Sequence, residues 1–552
     1  MKFILHKKKV STMSFIMILV LHSFLSTCKA PPQKSSRLEP PKVRVGILEQ
    51  RLRVDFKIDG PVRFNNKRGD FAMRGAQSGH WQVEAIHSQP AKFTYRLVVG
   101  TTKDRIKAEE IVHSVGRKGL RSRIVKYERS SSLKLKYARK SAFQVVLLEE
   151  FDTEQDAKIH QSVIQPKTGS EILAVPKGDA SGKLRFTNLD NRYSFDSQKG
   201  VKLSAATIEI LDVDVGTGFH WEKNESRIYG GTVEFVIDSY GLITAINELS
   251  MEEYTKGVVP SEMPVSFPLE ALKAQAIAAR VEAIAKIGLR HPEEPFDLCD
   301  DVHCQVFSGL SKRSPVGDQA VENTRGIFMV YRNRIAEAFY AGLCGGHTES
   351  NHNVWLMDAK PYLRGVLDTG GRNGSRLSAS LQSASQVQKW IDGSPDVFCN
   401  TTRRRAPAAV NYSKKYFRWK FEYTRRELEA ILRQKTGEDF GSLRDLVPKS
   451  RGLSGRLKEL QVVGTKKSFI LSRELPIRQA LSKRTLYSAC FYVIKKGRSG
   501  GLPEKFILKG AGWGHGVGMC QVGAAMMAHL GKRFDEILTH YYSGVVLEML
   551  YE

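Results

Sequence analysis

The first folded part of the chain alternates apolar and polar residues with a period of two, which predicts β-strands. Val54, Phe56 and Ile58 alternate in this way with polar neighbours. Residues 185–246 have the same character and are expected to end in a β-hairpin. The pattern therefore predicts a β-rich N-terminal region, which follows a polar, Pro-rich tether within residues 31–90.

Residues 91–180 combine strand and helix patterns in the order strand, helix, strand, and this order occurs twice. Helices are expected at 104–115 and 152–164, where apolar residues recur every three or four positions. A repeated unit of this kind indicates a small domain. In length and order the segment resembles the sporulation-related (SPOR) repeat, a wall-binding domain of bacteria. An α+β spacer without that activity is the alternative.

Two predicted helices flank Glu262. Ser250 and Glu253 have the spacing of a capping box that begins the first helix, and Pro260 is expected to end it. The second helix is expected to begin at Pro268. Glu262 therefore lies in a joint with apolar neighbours, where a carboxyl has a raised pKa and can donate a proton near neutral pH. The alternative is an ordinary surface glutamate.

Lys273 and Arg280 lie seven residues apart on the second predicted helix. Two turns of helix separate them, so they share one face. From that face they could bind anionic or hydroxyl groups of a substrate, or orient Glu262. Two solvated surface bases are the alternative.

The chain has 552 residues, which is enough for roughly three or four domains. Its 85 Lys and Arg against 58 Asp and Glu give a formal net charge of +27. A surplus of this size favours a polyanionic partner such as nucleic acid, an anionic membrane or an acidic polymer. Composition alone does not select among these three.

Residues 1–30 are typical of a secretory signal peptide, with four lysines before an apolar stretch too short for a comfortable membrane span. Cleavage after Ala30 is one expected ending. The other is lipidation of Cys28, because the residues before it resemble a bacterial lipobox. An uncleaved anchor helix is a third possibility. Export to the cell envelope counts against nucleic acid and favours the anionic cell wall as the partner.

Three metal-binding side chains stand in one short loop, Cys299, His303 and Cys304. Zinc prefers four such ligands in a tetrahedron, and a closed site of this kind is structural. His291 is expected as the fourth ligand, with Cys344 or His347 as alternatives. A disulfide of Cys304 with Cys344 or with Cys299 would exclude the metal.

Residues 512–523 contain five glycines around Trp513 and His515. Glycine permits close backbone approach, and tryptophan offers a stacking face for sugars. The segment is therefore expected to form one wall of a glycan cleft in which His515 contacts substrate, with Tyr362 as a further substrate-binding candidate. The alternative is a tight structural turn before a helix that begins near Met519.

Seven motifs follow one another in the second half of the chain, at 254–264 (YTKGVVPSEMP), 268–280, 320–326, 344–350, 454–460, 512–524 (GWGHGVGMCQVGA) and 540–544. Together they resemble the stage II sporulation protein D (SpoIID)/LytB amidase-enhancer family. The resemblance implies a C-terminal α+β domain, residues 181–552, with an insertion near 369–411. The predicted fold class is thus α+β and multidomain. Cys520 and Val522 depart from the residues usual in the family.

The resemblance implies that Glu262 is the catalytic acid of a lytic transglycosylase, with Lys273 and Arg280 also implicated. The implied substrate is peptidoglycan glycan already stripped of peptides, which is cleaved to 1,6-anhydro ends in sporulation, division or wall remodelling. Some similar proteins hold zinc with two Cys and two His at the place of the Cys299 loop. The family name also implies an alternative, a non-catalytic wall-binding enhancer of an N-acetylmuramoyl-L-alanine amidase.

Overall fold

The structure is a computed structural model that describes residues 39–66, 71–76, 78–128, 141–164, 170–198, 200–217, 222–355, 357–370, 377, 380–402 and 405–552. The predicted signal peptide, Cys28 and nearly all of the tether lie outside these residues. Within the described part, every helix is too short or too polar to cross a bilayer.

The chain opens with five strands, β1 (Lys42–Arg51), β2 (Arg53–Asp59), β3 (Val62–Asn66), β4 (Phe71–Ala76) and β5 (Gly79–Gln89). Val54, Phe56 and Ile58 of β2 are buried, and the residues between them are more exposed. One face of β2 therefore packs in the core, as the period of two predicts.

A small domain follows, built from β6 (Lys92–Thr102), α1 (Arg105–Gly116), β7 (Ser122–Glu128), β8 (Ser141–Phe151), α2 (Glu154–Ile164) and β9 (Glu171–Lys177). Its strands form an antiparallel sheet in the order β7-β8-β6-β9. Ala108 and Val115 of α1 and Ala157 of α2 are buried. The predicted double strand–helix–strand order is confirmed, whereas its relation to the SPOR repeat stays a prediction.

The next strands are β10 (Ser181–Asn188), β11 (Ser194–Ser197), β12 (Val201–Val215), β13 (Lys223–Ile237) and β14 (Ile243–Ser250). Pairing of β13 with β14 confirms the predicted hairpin. These strands share one sheet with the first five, because β2 pairs with both β5 and β12 and β10 pairs with β5. Segments that the sequence assigns to two different domains therefore form a single sheet, and the small domain is inserted between β5 and β10.

The central part contains α3 (Met251–Glu262), α4 (Leu269–Lys286), β15 (Leu298–Cys299), α5 (Pro315–Glu322), β16 (Ile327–Val330) and β17 (Tyr340–Ala341). The Ser250 hydroxyl accepts a hydrogen bond from Glu253 N, so the predicted N-cap is confirmed. The prediction that Pro260 ends α3 is wrong, because the helix continues to Glu262 and Met263 N still reaches the Val259 carbonyl. Proline loses one i→i−4 hydrogen bond and its ring crowds the preceding turn, yet here two more helical residues follow Pro260 before the helix ends.

Helix α4 is the central helix of the fold. It is buried on nearly all sides, and α3, α5, α11 and α12 pack against it. A helix in the middle of a core has apolar surroundings on nearly all of its faces. Pro268 is the N-cap residue of α4, one position before its expected place.

The remaining elements are α6 (Asn351–Val354), α7 (Ala384–Gly393), α8 (Lys414–Phe417), β18 (Trp419–Thr424), α9 (Arg425–Thr436), β19 (Leu443–Arg451), β20 (Leu457–Gly464), β21 (Ser468–Ser472), α10 (Glu474–Ala480), β22 (Phe491–Ser499), β23 (Leu502–Gly510), β24 (Met519–Cys520), α11 (Gln521–His529), α12 (Phe534–Tyr541) and β25 (Val546–Met549). Two three-stranded sheets, β18-β23-β22 and β19-β20-β21, surround a second hydrophobic core with α9 and α10. Afterwards the chain returns to the central part, where β24 pairs with β17 and β25 pairs with β16.

Candidate active site

Glu262 is the final residue of α3, at the turn that leads into α4. The residue as a whole is half-buried. The neighbours that the sequence marks as apolar are buried, namely Val258, Val259, Met263 and Phe267. The predicted placement of Glu262 in an apolar joint is thus confirmed.

The loop after β15 forms the opposite side of the site. Val306 N donates a hydrogen bond to Oε1 of Glu262 at 2.7 Å. Gln305 accepts from the Tyr340 hydroxyl at 2.9 Å and donates from Nε2 to the Tyr254 hydroxyl at 3.2 Å. The Tyr340 hydroxyl also interacts with the Glu262 carboxyl. A fixed set of polar groups therefore surrounds one carboxyl.

Burial raises the pKa of Glu262 from 4.5 to about 7. The Val306 N–H and the positive charges of Lys286 and Lys312 favour the carboxylate, but they offset the desolvation only in part. Near neutral pH both the acid and the carboxylate are therefore populated. A group of this kind can donate a proton and then take one back.

The glycine-rich segment reaches the site through the first residue of α11. Gln521 donates from Nε2 to the main-chain carbonyl of Glu262 at 2.9 Å and to Oε1 of Gln275 at 3.2 Å. Parallel pairing of β24 with β17 places the same segment beside Tyr340. Gln521 stands inside a motif that the sequence singled out, and Tyr340 lies between two such motifs. Neither was given a role, because motif membership does not reveal what a side chain contacts.

The His515 ring is half-buried and held in place by hydrogen bonds, and its contact with substrate stays a prediction. Its Nδ1 accepts from Val517 N at 3.0 Å, and its ring lies 4.9 Å from that of Trp355. It also forms a hydrogen bond with the main chain of Tyr340. Burial lowers the pKa of His515 to about 3, so the ring is neutral and supports the strand that carries Tyr340.

The other two substrate-binding candidates differ in accessibility. Trp513 is partly exposed and stacks on Tyr416 with ring centroids 4.5 Å apart. Tyr362 is only 7% exposed, its hydroxyl accepts from Glu337 N at 3.3 Å, and its ring packs against Tyr331. Trp513 can therefore offer surface to a sugar, whereas Tyr362 is packed in the core and offers little.

The glycines of this segment have a steric purpose. Gly516 and Gly518 have φ angles of 76° and 70°, in the left-handed region. A Cβ at Gly516 would lie 2.3 Å from the Arg456 guanidinium carbon, and one at Gly518 would lie 1.9 Å from the Phe339 carbonyl oxygen. The tight structural turn, one of the two interpretations of the sequence, explains why glycine stands at positions 516 and 518.

Lys273 and Arg280 contact other residues than Glu262. Lys273 donates to Oε1 of Glu270 at 2.7 Å. The Arg280 guanidinium is fully buried and binds both carboxylate oxygens of Glu252, at 3.1 and 2.7 Å. In the described part of the chain neither base forms a hydrogen bond with the Glu262 carboxyl. The contacts make Arg280 a buried anchor between α3 and α4, and a role of either base in catalysis stays a prediction.

The four predicted metal ligands converge. The donor atoms of His291, Cys299, His303 and Cys304 all lie within 4.8 Å of one another. Nδ1 of His303 is 3.2 Å from Nε2 of His291 and 3.8 Å from Sγ of Cys299, while Sγ of Cys304 is 3.4 Å from Nε2 of His291. Ligand bonds of about 2.0–2.3 Å give tetrahedral edges of roughly 3.3–3.8 Å, so these residues fit zinc.

This Cys–His cluster stands next to the site in the chain, because Cys304 precedes Val306 by two residues. The predicted alternatives that involve Cys344 are not formed. Cys344 lies beside Cys399, with 3.6 Å between the two sulfurs, and all described cysteines are free thiols. His291 therefore completes the cluster, as expected.

Two buried charged residues that the sequence did not single out join three of the motifs. The Arg456 guanidinium donates to the carbonyl of Cys344 at 3.1 Å and to the Ser454 hydroxyl at 3.0 Å. Glu349 accepts from that hydroxyl at 2.6 Å, and Glu349 N donates to the Gly516 carbonyl at 2.8 Å. In the sequence, the only indication that these three motifs meet was that they belong to one ordered set of motifs.

The elements described above make this an α+β protein. The Glu262 carboxyl, desolvated at a half-buried joint and surrounded by fixed polar groups, gives it a candidate acid–base site. The family described as Stage II sporulation protein matches residues 239–331, which include Glu262. A domain of unknown function (DUF8618) matches residues 349–518.

Among similar proteins, an uncharacterized protein of Brachyspira hyodysenteriae is 33% identical over 317 residues, which cover 57% of this chain and 71% of that protein. The amidase enhancer of Bacillus subtilis is 31% identical over 53% of this chain and 40% of its own length. Stage II sporulation protein D of Bacillus amyloliquefaciens is 29% identical over 54% of this chain and 75% of its own length. The chain belongs to the stage II sporulation protein D family.

Proposed function

We propose that the protein acts on the bacterial cell wall as a lytic transglycosylase, exported to the envelope, with Glu262 as its acid. The observation that carries this proposal is the placement of the Glu262 carboxyl at a half-buried joint among apolar residues, where the Val306 N–H donates to it and burial raises its pKa to about 7. The substrate would be peptidoglycan glycan, and the product would carry a 1,6-anhydromuramic end.

The reaction needs only one carboxyl. The acid form of Glu262 gives its proton to the glycosidic oxygen between N-acetylmuramic acid and N-acetylglucosamine, and the bond between that oxygen and C1 of N-acetylmuramic acid breaks. The resulting carboxylate takes the proton from the C6 hydroxyl of the same N-acetylmuramic acid. The C6 oxygen then forms a bond to C1 and closes the 1,6-anhydro ring. Glu262 ends protonated again. Because no water attacks, the second carboxylate that most glycoside hydrolases require is unnecessary.

The groups around Glu262 have matching roles. The Val306 N–H stabilises the carboxylate formed after the first proton transfer. Gln521 holds the main chain of Glu262, and Gln305 fixes the Tyr340 hydroxyl near the carboxyl. A carboxyl kept within hydrogen-bond reach of its substrate can contribute about 10²–10⁴ in rate.

Zinc would be held by His291, Cys299, His303 and Cys304 and would act structurally, since a closed set of four ligands leaves no open position. Fixing Cys304 fixes the loop that carries Val306. The protein side chains therefore perform every proton transfer in this proposal.

A second candidate function rests on one similar protein, which is named an amidase enhancer. In that case the protein would bind the wall and activate a cell-wall amidase, without cleaving glycan. Glu262 would then be a desolvated carboxyl with no reaction to perform.

The deciding experiment incubates the full chain with glycan strands that an amidase has stripped of peptides and measures 1,6-anhydromuramic products by mass spectrometry. The Glu262→Gln variant keeps the shape and the Val306 hydrogen bond but cannot donate a proton in the same way. Glu253→Gln is the matched control, because Glu253 lies on the same helix and pairs with Lys256 and Arg313 at its surface.

We expect anhydro products from the parent and from Glu253→Gln, and a loss of at least a hundredfold in Glu262→Gln. No products from the parent, together with faster hydrolysis by an added amidase, would reject the transglycosylase and support the enhancer. Equal product from parent and Glu262→Gln would remove Glu262 from the mechanism.

A further inference from the structure

We propose a second zinc site in the core of the protein, formed by Cys344, Asp368, Cys399 and Cys520. One donor atom from each of these residues lies within 4.8 Å of all the others, and all four residues are buried. None of them belongs to the Cys–His cluster beside Glu262. This second cluster involves neither the acid nor the reaction proposed above.

The spacing of the donors suits a tetrahedral ion. The sulfurs of Cys344 and Cys399 are 3.6 Å apart. Zinc–sulfur bonds of about 2.3 Å give a sulfur–sulfur edge of roughly 3.8 Å in a tetrahedron. Thiolates are the ligands that zinc prefers, and a set of four protein ligands closes the site. The ion would therefore be structural.

Backbone amides already point at two of the sulfurs. Sγ of Cys520 accepts from Cys344 N at 3.2 Å and from Gly523 N at 3.4 Å. Sγ of Cys344 accepts from Gly346 N at 3.4 Å. Hydrogen bonds from amides stabilise a thiolate, which is the form that binds a metal. Three such bonds on two sulfurs favour a metal site over a chance grouping of thiols.

The carboxylate is oriented in the same way. Oδ2 of Asp368 accepts from Cys399 N at 2.8 Å, and Oδ1 accepts from the Tyr541 hydroxyl at 2.7 Å. Partners of this kind hold the ligands of metal sites in place. The side chain is therefore fixed beside the sulfurs by both of its oxygens.

Charge balance also requires an ion if the sulfurs bind as thiolates. Three thiolates and a carboxylate in one buried place are tolerated only when a cation compensates them. Arg418 lies close enough to interact with Cys344 and Cys399, but its described hydrogen bonds go to main-chain carbonyls. A divalent ion would supply the compensation that this arginine provides only in part.

The position of the site indicates what it would stabilise. Its ligands come from four separate stretches of chain, and Cys399 lies in the segment predicted as an insertion. Cys520 directly precedes Gln521, whose amide reaches the Glu262 carbonyl. The ion would thus fasten the predicted insertion to the glycine-rich segment and to the N-terminus of α11.

Metal content tests the site directly. The full chain is purified from cells grown with zinc, and bound metals are measured per chain by mass spectrometry. We expect two zinc ions in the parent and one in Cys399→Ser. Cys304→Ser removes a ligand of the other cluster and should also retain one. Cys490→Ser is the matched control, because Cys490 is equally buried but belongs to neither cluster, and it should retain two.

An equal zinc content in the parent and Cys399→Ser would overturn the proposal. So would a Cys344–Cys399 disulfide, detected as a loss of two titratable thiols in the unfolded, unreduced parent, and so would iron in place of zinc.

If Cys399→Ser does not fold, cobalt replaces zinc in the Cys304→Ser variant, whose second cluster is intact. A strong sulfur-to-cobalt charge-transfer band there supports three thiolate ligands. Its absence rejects the site.

Discussion

Helix α3 carries a glutamate at each end, and the two have opposite surroundings. Glu252, in its first turn, is buried and receives hydrogen bonds from Arg280, Gly326 N and the Tyr551 hydroxyl. Glu262, its last residue, is partly exposed and receives one main-chain hydrogen bond, from Val306. The first carboxylate is compensated by a full positive charge, whereas the second is not.

The difference shows how one helix can serve both stability and chemistry. Both carboxyl oxygens of Glu252 bind the buried Arg280 guanidinium, so this side chain holds α3 against α4. A carboxyl that is desolvated without an ion pair has its pKa raised, and Glu262 reaches about 7. The same residue type thus anchors the fold at one end of α3 and is available for proton transfer at the other.

The largest effect on stability is expected when the ion pair of Glu252 with Arg280 is broken. Arg280→Leu leaves the Glu252 carboxylate buried without its cation, and we expect the free energy of unfolding to fall by about 3–5 kcal/mol in denaturant titrations. The double variant Glu252→Gln, Arg280→Leu removes the stranded charge and should recover a large part of the loss. An Arg280→Leu protein that is as stable as the parent but inactive would instead place Arg280 at the substrate.

At the other end of the helix, replacing Glu262 is expected to raise the free energy of unfolding rather than lower it. The folded-state pKa of Glu262 lies above its ordinary 4.5, so the stability due to its acid form is complete below pH 4.5 and is lost as pH rises through about 7. Glu262→Gln has no such loss. It should match the parent near pH 4.5 and be more stable at pH 8, by on the order of 1–3 kcal/mol, since the residue is only half-buried and solvent screens part of the effect. Denaturant titrations at both pH values measure this, and a less stable variant at pH 8 would contradict the raised pKa.

A third effect concerns the rate. If the acid form of Glu262 is required, kcat/KM for glycan cleavage should fall about tenfold per pH unit above pH 7. Below that value it should level off, provided that the protein stays folded. The profile is measured from anhydro-product formation between pH 5 and 9. A rate that rises through pH 7 and stays high would indicate that the carboxylate, rather than the acid, starts the reaction.

The smallest effect is expected at Lys273, which pairs with Glu270. Among the described residues its hydrogen bond goes to Glu270 rather than to Glu252 or Glu262. Lys273→Ala should lower the free energy of unfolding by no more than about 1 kcal/mol. Product formation should change little, with Glu270→Ala as a control for the same ion pair. A drop of a hundredfold or more in Lys273→Ala alone, with stability unchanged, would show that Lys273 binds substrate.

The sequence located much of this site. Caps, prolines and apolar spacing marked α3, α4 and the joint that holds Glu262, because these features depend on residues a few positions apart. The Cys–His cluster was also predictable, since its four ligands fall within fourteen residues of chain. The end of α3 was misplaced by two residues, because the helix continues past Pro260 to Glu262.

Pairing over long distances was decided by the tertiary structure alone. The partners of Glu252 come from positions 28, 74 and 299 residues away, and the second cluster joins Cys344 to Cys520 across 176 residues. Local patterns specify which segments become helix or strand and which faces are apolar. They do not specify which distant group meets a buried charge, and that contact determines whether a carboxyl anchors the fold or titrates near pH 7.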